Sequence, residues 1–121
     1  MSKTILIVDD EPNIVLSLEF LMKREGFEVQ TAGDGQAAIE MLAARRPDLM
    51  ILDVMMPRKN GFEVCKEVRA DPALSGLPII LLSAKGREVE IAKGLSLGAD
   101  AYITKPFSTH ELVARVKEIL K

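Results

Sequence analysis

Five polar side chains each stand at the end of an apolar run, and together their types suit the handling of a phosphoryl group beside a metal ion. Asp9 and Asp10 follow Thr4-Ile5-Leu6-Ile7-Val8, Asp53 closes Leu49-Met50-Ile51-Leu52, Ser83 closes Leu77-Pro78-Ile79-Ile80-Leu81-Leu82, and Lys105 follows Ala101-Tyr102-Ile103-Thr104. Carboxylates brought together raise one another's pKa or bind a cation. An all-oxygen site that keeps water is what Mg²⁺ prefers, with Mn²⁺ as an alternative. The metal and the Lys105 ammonium would neutralise charge on the equatorial phosphoryl oxygens, the Ser83 hydroxyl would donate a hydrogen bond, and one carboxylate would attack in line. Asp53 is the best nucleophile because it stands alone after its apolar run, whereas the adjacent Asp9 and Asp10 read as a metal pair. Taken singly, Lys105 reads as a solvated loop charge and Ser83 as a turn hydroxyl. Only their arrival at one place makes a site.

That arrival depends on the elements that carry them. The run from Leu49 to Asp53, bounded by Pro47 and Pro57, reads as a strand buried on both faces in the middle of a parallel sheet. Before it, Thr4 to Val8 is a short β-branched strand, and Pro12 opens a helix whose apolar positions Ile14, Val15, Leu18, Leu21 and Met22 run to Gly26. A second strand, Glu28 to Ala32, passes through Gly33-Asp34-Gly35 into a helix with the stripe Ala38, Ile39, Met41, Leu42. After Pro57, Asn60 is placed to cap a helix carrying Phe62, Cys65 and Val68 that ends near Asp71-Pro72. A further helix is expected from about Arg87 to Leu97. Ser108-Thr109-His110-Glu111 has the spacing of a capping box before a last helix packed through Leu112, Val116, Ile119 and Leu120. Five strands alternating with five helices predict a doubly wound α/β fold, because parallel neighbours need crossover connections. At 121 residues the flavodoxin-like strand order 2-1-3-4-5 fits best, and its crevice between the first and third strands would receive Asp9, Asp10 and Asp53.

Composition narrows the classes. With 48% hydrophobic residues and no repeat, a single domain over residues 1–121 is expected. The formal net charge of −2, with acids and bases mixed, gives no electrostatic case for direct nucleic-acid binding or an anionic membrane. The short apolar stretch before Asp9 falls far short of a signal-peptide core or a membrane span, so a cytoplasmic location is expected. Cys65 lies at core spacing and is assigned no redox role. His110 lies in the capping stretch, so no zinc site has convincing ligands.

In combination, Asp9-Asp10-Glu11, Leu52-Asp53-Val54-Met55-Met56-Pro57 with Asn60-Gly61, Ser83-Ala84, and Tyr102-Ile103-Thr104-Lys105-Pro106-Phe107 appear in the order found in response regulator receiver domains of two-component signalling. The chain resembles that family from Lys3 to its end. The resemblance implies that Asp53 is the phosphoacceptor, taking its phosphoryl group from a phosphohistidine on a sensor histidine kinase or histidine phosphotransfer protein. It implies that Asp10 binds Mg²⁺ directly, Asp9 largely through water, and the Met55 backbone carbonyl as a further ligand. Ser83 and Lys105 match the phosphate-contacting hydroxyl and lysine, Ser83 and Tyr102 the switch pair, and Pro106 a proline usually preceded by a cis bond. Met55 and Lys85 match positions that flank the path of attacking water, where neither side chain is an acid or an amide, so slow self-dephosphorylation is expected.

The output face implied by the resemblance comprises the helix near Arg87 to Leu97, the Tyr102 strand and the last helix, docking an unidentified output protein. Receivers joined to winged-helix DNA-binding domains commonly dimerise there through salt bridges. Glu111 and Arg115 match two participants, but Ile91 and Ala101 stand where their partners would be. Ile91 would then offer an apolar contact, or instead join a core stripe with Ala92 and Leu95. The expectation is a single-domain phosphorylation switch rather than an enzyme acting on external substrates, with a receiver cut from a longer DNA-binding transcriptional regulator as the alternative. Two rivals come from other classes. Gly33-Asp34-Gly35-Gln36-Ala37-Ala38 formally matches a dinucleotide fingerprint, with Asp53 roughly twenty residues on. It lacks a second mononucleotide half and leaves Asp9, Asp10 and Lys105 unexplained. An aspartyl-phosphate phosphatase would want an acid two positions after the nucleophile, where this chain has Met55.

Overall fold

The computed structural model describes residues 2–84 and 86–121. Lys85, singled out above for dephosphorylation, lies outside the described residues. The elements run β1 (Thr4–Val8), α1 (Pro12–Arg24), β2 (Glu28–Ala32), α2 (Gly35–Ala44), β3 (Leu49–Asp53), α3 (Gly61–Ala70), β4 (Ile79–Ser83), α4 (Glu88–Ser96), β5 (Ala101–Thr104) and α5 (Thr109–Ile119). The strands form one parallel sheet in the order β2-β1-β3-β4-β5, the flavodoxin-like arrangement that the alternation of runs predicts. Chain order reverses between β1 and β3, so the crevice for a ligand opens beyond their carboxyl ends.

All residues of β1, β3 and β4 are buried, as strands covered on both faces must be. Their side chains divide by twos between two cores. Leu6, Val8, Met50, Leu52 and Leu81 face α2 and α3, meeting Ala38, Leu42, Val64 and Val68. Ile5, Ile7, Ile51, Ile80 and Leu82 face α1 and α5, meeting Leu18, Met22, Leu112 and Val116. Cys65 is fully buried in the first core, and its Sγ lies 3.6 Å from the Leu97 carbonyl. Full burial of a side chain such as Leu52 or Ile51 stabilises by about 1.5–3 kcal/mol. The central strand is therefore a firmly held support for Asp53.

Caps set where the helices start. Asn60 Oδ1 accepts from the Glu63 N–H at 2.9 Å and Glu63 Oε1 accepts from the Asn60 N–H at 2.9 Å, a full reciprocal box at the start of α3. At α5 only half of the predicted box forms. Ser108 Oγ accepts from the Glu111 N–H at 3.2 Å, while the exposed Glu111 carboxylate makes no return bond among the described residues.

The α4 helix departs from the pattern of the others. Its one buried residue is Gly94, with Ala92 and Leu95 exposed and Ile91 half-buried. The stripe of Ile91, Ala92 and Leu95 therefore does not form. A Cβ on Gly94 would come within 2.7 Å of Leu81 Cδ1 and 2.9 Å of Tyr102 Cδ2, so α4 seats its backbone against the sheet where a stripe of side chains would hold it off.

Candidate metal and phosphoryl site

The register puts the chemistry at one edge. Val8 pairs with Leu52, Asp53 with Leu82 and Ser83 with Thr104, so Asp9, Asp53, Ser83 and Lys105 all emerge at the carboxyl ends of neighbouring strands. Asp9 and Asp53 are only 2% and 3% exposed, while Asp10 is exposed. One carboxylate oxygen from each of the three lies within 4.8 Å of the others. Asp9 is fixed from behind, because its Oδ1 accepts the Glu11 N–H at 2.9 Å where α1 begins. Gly61 lets α3 start against the strand end, since a Cβ there would lie 2.5 Å from the Asp53 carbonyl oxygen.

Lys105 crosses the sheet edge to reach these acids. Its Nζ donates to Asp9 Oδ2 at 3.1 Å and to Asp53 Oδ1 at 3.2 Å, with Glu11 Oε1 at 3.7 Å. Glu11 is the residue that reading the sequence missed as part of the site. Its only signal was contiguity with Asp9-Asp10. Burial pulls the Lys105 ammonium down, yet the bonds to and charges of Asp9 and Asp53 outweigh it and leave its pKa raised. Burial and the charge of Asp9, with a smaller push from Asp10, raise the Asp53 carboxyl from 3.8 to about 6 against the opposing pull of Lys105.

The donor set fits a divalent cation. Three carboxylates against one ammonium leave local negative charge, two of the three are buried, and all available ligands are hard oxygens.

Ser83 is fully buried beside Lys105, whose N–H donates to the Ser83 carbonyl at 2.7 Å, and the Lys105–Pro106 peptide bond is cis. Tyr102 is half-buried on β5 against Gly94. Met55 is 53% exposed and lines a cleft with Phe62 and Val89. Ile91, Glu111 and Arg115 are not brought to the carboxylates; they lie on α4 and α5. Arg115, read from the sequence as unmatched, pairs with Glu118 at 3.5 Å, one helical turn along its own helix. The Gly33-Asp34-Gly35 turn leads from the edge strand β2 into α2, away from the β1–β3 crevice that a dinucleotide would need.

The model of the response regulator receiver domain matches residues 5–117. The chain belongs to that family. It is 48% identical over its full length to the alkaline phosphatase synthesis transcriptional regulatory protein PhoP of Bacillus subtilis (strain 168), and it spans about half (50%) of the length of that relative. Among solved structures, a candidate response regulator from Chloroflexus aurantiacus superposes with a TM-score of 0.95 at 39% identity, covering 99% of this chain and 98% of the other. The chemotaxis protein CheY4 of Vibrio cholerae superposes with a TM-score of 0.93 at 31% identity, covering 99% and 100%. The receiver domain is thus a member of a family of phosphoacceptor switches in two-component systems, one that typically binds a divalent metal, and its acidic cluster has the composition for that. No helix among the described residues is long and apolar enough to cross a membrane.

Proposed function

We propose that this chain is a signalling switch in which Asp53 accepts a phosphoryl group from a phosphohistidine on a sensor histidine kinase or histidine phosphotransfer protein. The observation that carries the reading is the shared lysine: Lys105 Nζ lies 3.1 Å from Asp9 and 3.2 Å from Asp53 at the carboxyl edge of the sheet. An ammonium held between a metal-type acid and a nucleophile is ready to follow negative charge when it arrives.

Asp9, Asp10 and Asp53 would hold Mg²⁺, with the Met55 carbonyl as a further ligand by resemblance. Bound there, the metal supplies positive charge to the phosphoryl oxygens. An Asp53 oxygen bonds to phosphorus as the phosphorus–nitrogen bond to imidazole breaks. Lys105 then exchanges the Asp53 carboxylate for a phosphoryl oxygen, and Ser83 donates its hydroxyl to another. Movement of Ser83 vacates space toward which Tyr102 turns, so a local charge event reshapes the face of α4, β5 and α5 that meets an output protein. The switch acts in the cytoplasm.

Incubation with acetyl phosphate and Mg²⁺ should add one phosphoryl group by mass. Full labelling of Asp53→Asn, or equal labelling in excess chelator, would refute the assignment. The lifetime of that label is a second property. Met55 and Lys85 offer attacking water neither an acid nor an amide, so the acyl phosphate should persist, and Met55→Asn with Lys85→Glu should shorten its half-life. An unchanged half-life in the double variant removes that reading.

The 48% identity to PhoP favours a second reading of context, in which the chain is the receiver portion of a DNA-binding transcriptional regulator.

A further inference from the structure

The Gly33-Asp34-Gly35 turn, which mimics a nucleotide fingerprint in the sequence, is filled by the chain's own backbone. A Cβ built on Gly35 would lie 2.2 Å from the Lys59 carbonyl oxygen and 2.6 Å from Lys59 Cβ, whereas one on Gly33 would meet nothing within 4 Å. Lys59 belongs to the loop 54–60, which leaves Asp53 and returns to α3. Several ties hold that loop from within its own segment: the Gly61 N–H donates to the Val54 carbonyl at 2.9 Å, Asn60 and Glu63 form their box, and Lys59 Nζ pairs with Glu67 at 2.5 Å. Other elements bear on it at two places: the Val54 N–H donates to the Leu82 carbonyl of β4 at 3.1 Å, and Gly35 of α2 meets the Lys59 peptide at the far end of the loop. Beside that contact Arg58 Nε lies 3.9 Å from Asp34 Oδ2, and Arg58 is the only non-glycine among the described residues with a positive φ, +66°. The chain thus bends sharply to lay the Lys59 peptide on the start of α2.

We infer that Gly35 is a positioning residue for the metal and phosphoryl site. By admitting the Lys59 peptide it sets where the 54–60 loop lies, and with it the Met55 carbonyl. The inference rests on the proposed reading of Asp9, Asp10, Asp53 and the Met55 carbonyl as metal-holding groups. A methyl at position 35 would strike a backbone oxygen, which cannot swing aside as the end of a side chain can. The loop must retreat from α2, and because it is short and pinned at Gly61, the displacement reaches Met55. Groups that orient ligands from behind commonly govern metal affinity as strongly as this.

The test is a titration of the whole chain with Mn²⁺ alone, following free Mn²⁺ by electron paramagnetic resonance well below the unfolding temperature. Gly35→Ala should weaken affinity on the order of tenfold. Gly33→Ala, the same change in the same turn but with open space around it, should bind as the parent does. A purely structural role would lower the unfolding midpoint and leave the affinity of the folded protein intact, so parental affinity in folded Gly35→Ala overturns the inference. So does equal weakening by Gly33→Ala. Should Gly35→Ala fail to fold, Lys59→Gly, read against Glu67→Gln as the control for the lost Lys59–Glu67 pair, removes the Cβ part of the same contact while Gly35 stays. It should also bind Mn²⁺ less tightly, by a smaller factor, and unchanged affinity there overturns the inference as well. If the parent chain binds no Mn²⁺, the reading of the site falls, and the inference with it.

Discussion

Asp53 is held where its own surroundings oppose its ionisation. Burial and Asp9 raise its carboxyl to about 6, more than Lys105 can counter. Below pH 3.8, the ordinary aspartate value, folded and unfolded chains both hold the proton and the group contributes nothing to the pH dependence. Between 3.8 and about 6 the folded state binds more protons than the unfolded one, so stability falls as pH rises. Above that window the full cost stands, on the order of 3 kcal/mol. In chelator, Asp53→Asn should therefore be more stable than the parent at pH 8, with the gain shrinking as pH falls through 6 and gone below 3.8. Urea unfolding across that range measures it, and a pH-independent difference would show that the site does not raise Asp53. Excess Mg²⁺ at pH 8 should reverse the ranking, because only the parent offers the third carboxylate. The stability the site gives up without metal is what makes it responsive to metal and phosphoryl charge.

Among the elements, α4 is the least firmly built. It buries no large apolar side chain, its Val89 is 67% exposed, and its closest approach to the sheet is made by Gly94 on Leu81 and Tyr102. Elements with little buried apolar area open at low free energy, and a switch needs one such element near its trigger. The C-terminal end of α4 is tied better. Arg69 Nε and Nη2 donate to the Gly98 carbonyl at 2.9 and 2.6 Å, while Nη1 donates to the Leu77 carbonyl at 2.7 Å. Movement should thus be concentrated in the N-terminal part, next to Ser83. In Gly94→Ala, the gain in helix propensity of about 1 kcal/mol is set against a clash with the fully buried Leu81, and overpacking typically costs about 1–3 kcal/mol. The softer neighbour is the half-buried Tyr102, which should be driven outward. Tyr102 is the only tyrosine in a chain without tryptophan, so its fluorescence reports the change directly. A spectrum and beryllofluoride response identical to the parent's would mean that α4 does not govern the Tyr102 position.

For the molecule as a whole, the question is what the face of α4, β5 and α5 meets. Arg115 pairs with Glu118 on its own helix, and Asp100 with Arg69 at 3.2 Å. Ala101 is buried and Ile91 is half-buried, so neither offers the counter-charge that Arg115 or Glu111 would need across a symmetric interface. Unmatched charge against apolar surface disfavours a partner more than it attracts one. Sedimentation of the beryllofluoride-activated chain should accordingly show no tight dimer that depends on Arg115. A dimer abolished by Arg115→Ala would reverse this and strengthen the reading as part of a DNA-binding regulator. The relatives occupy different contexts, a transcriptional regulator in one case and a chemotaxis protein in another. The fold alone therefore does not select the output.

The sequence by itself determined the sheet, its strand order and the residues at its carboxyl edge. Buried parallel strands must be continuous apolar runs, and a polar residue that ends such a run has nowhere to go but the rim. Asp9, Asp53, Ser83 and Lys105 were legible for that reason, and Cys65 was legible as core because its spacing matched a helix face. Only the tertiary structure decided what depends on distances between elements. It set Lys105 between Asp9 and Asp53, added Glu11 to their company, pressed Gly94 onto Tyr102 and laid the Lys59 peptide on Gly35. The glycines show the reason most clearly. A glycine leaves the same mark in a sequence whether it frees a turn, approaches a phosphate or admits another segment's backbone, and only the neighbour that fills the missing Cβ's place tells these apart.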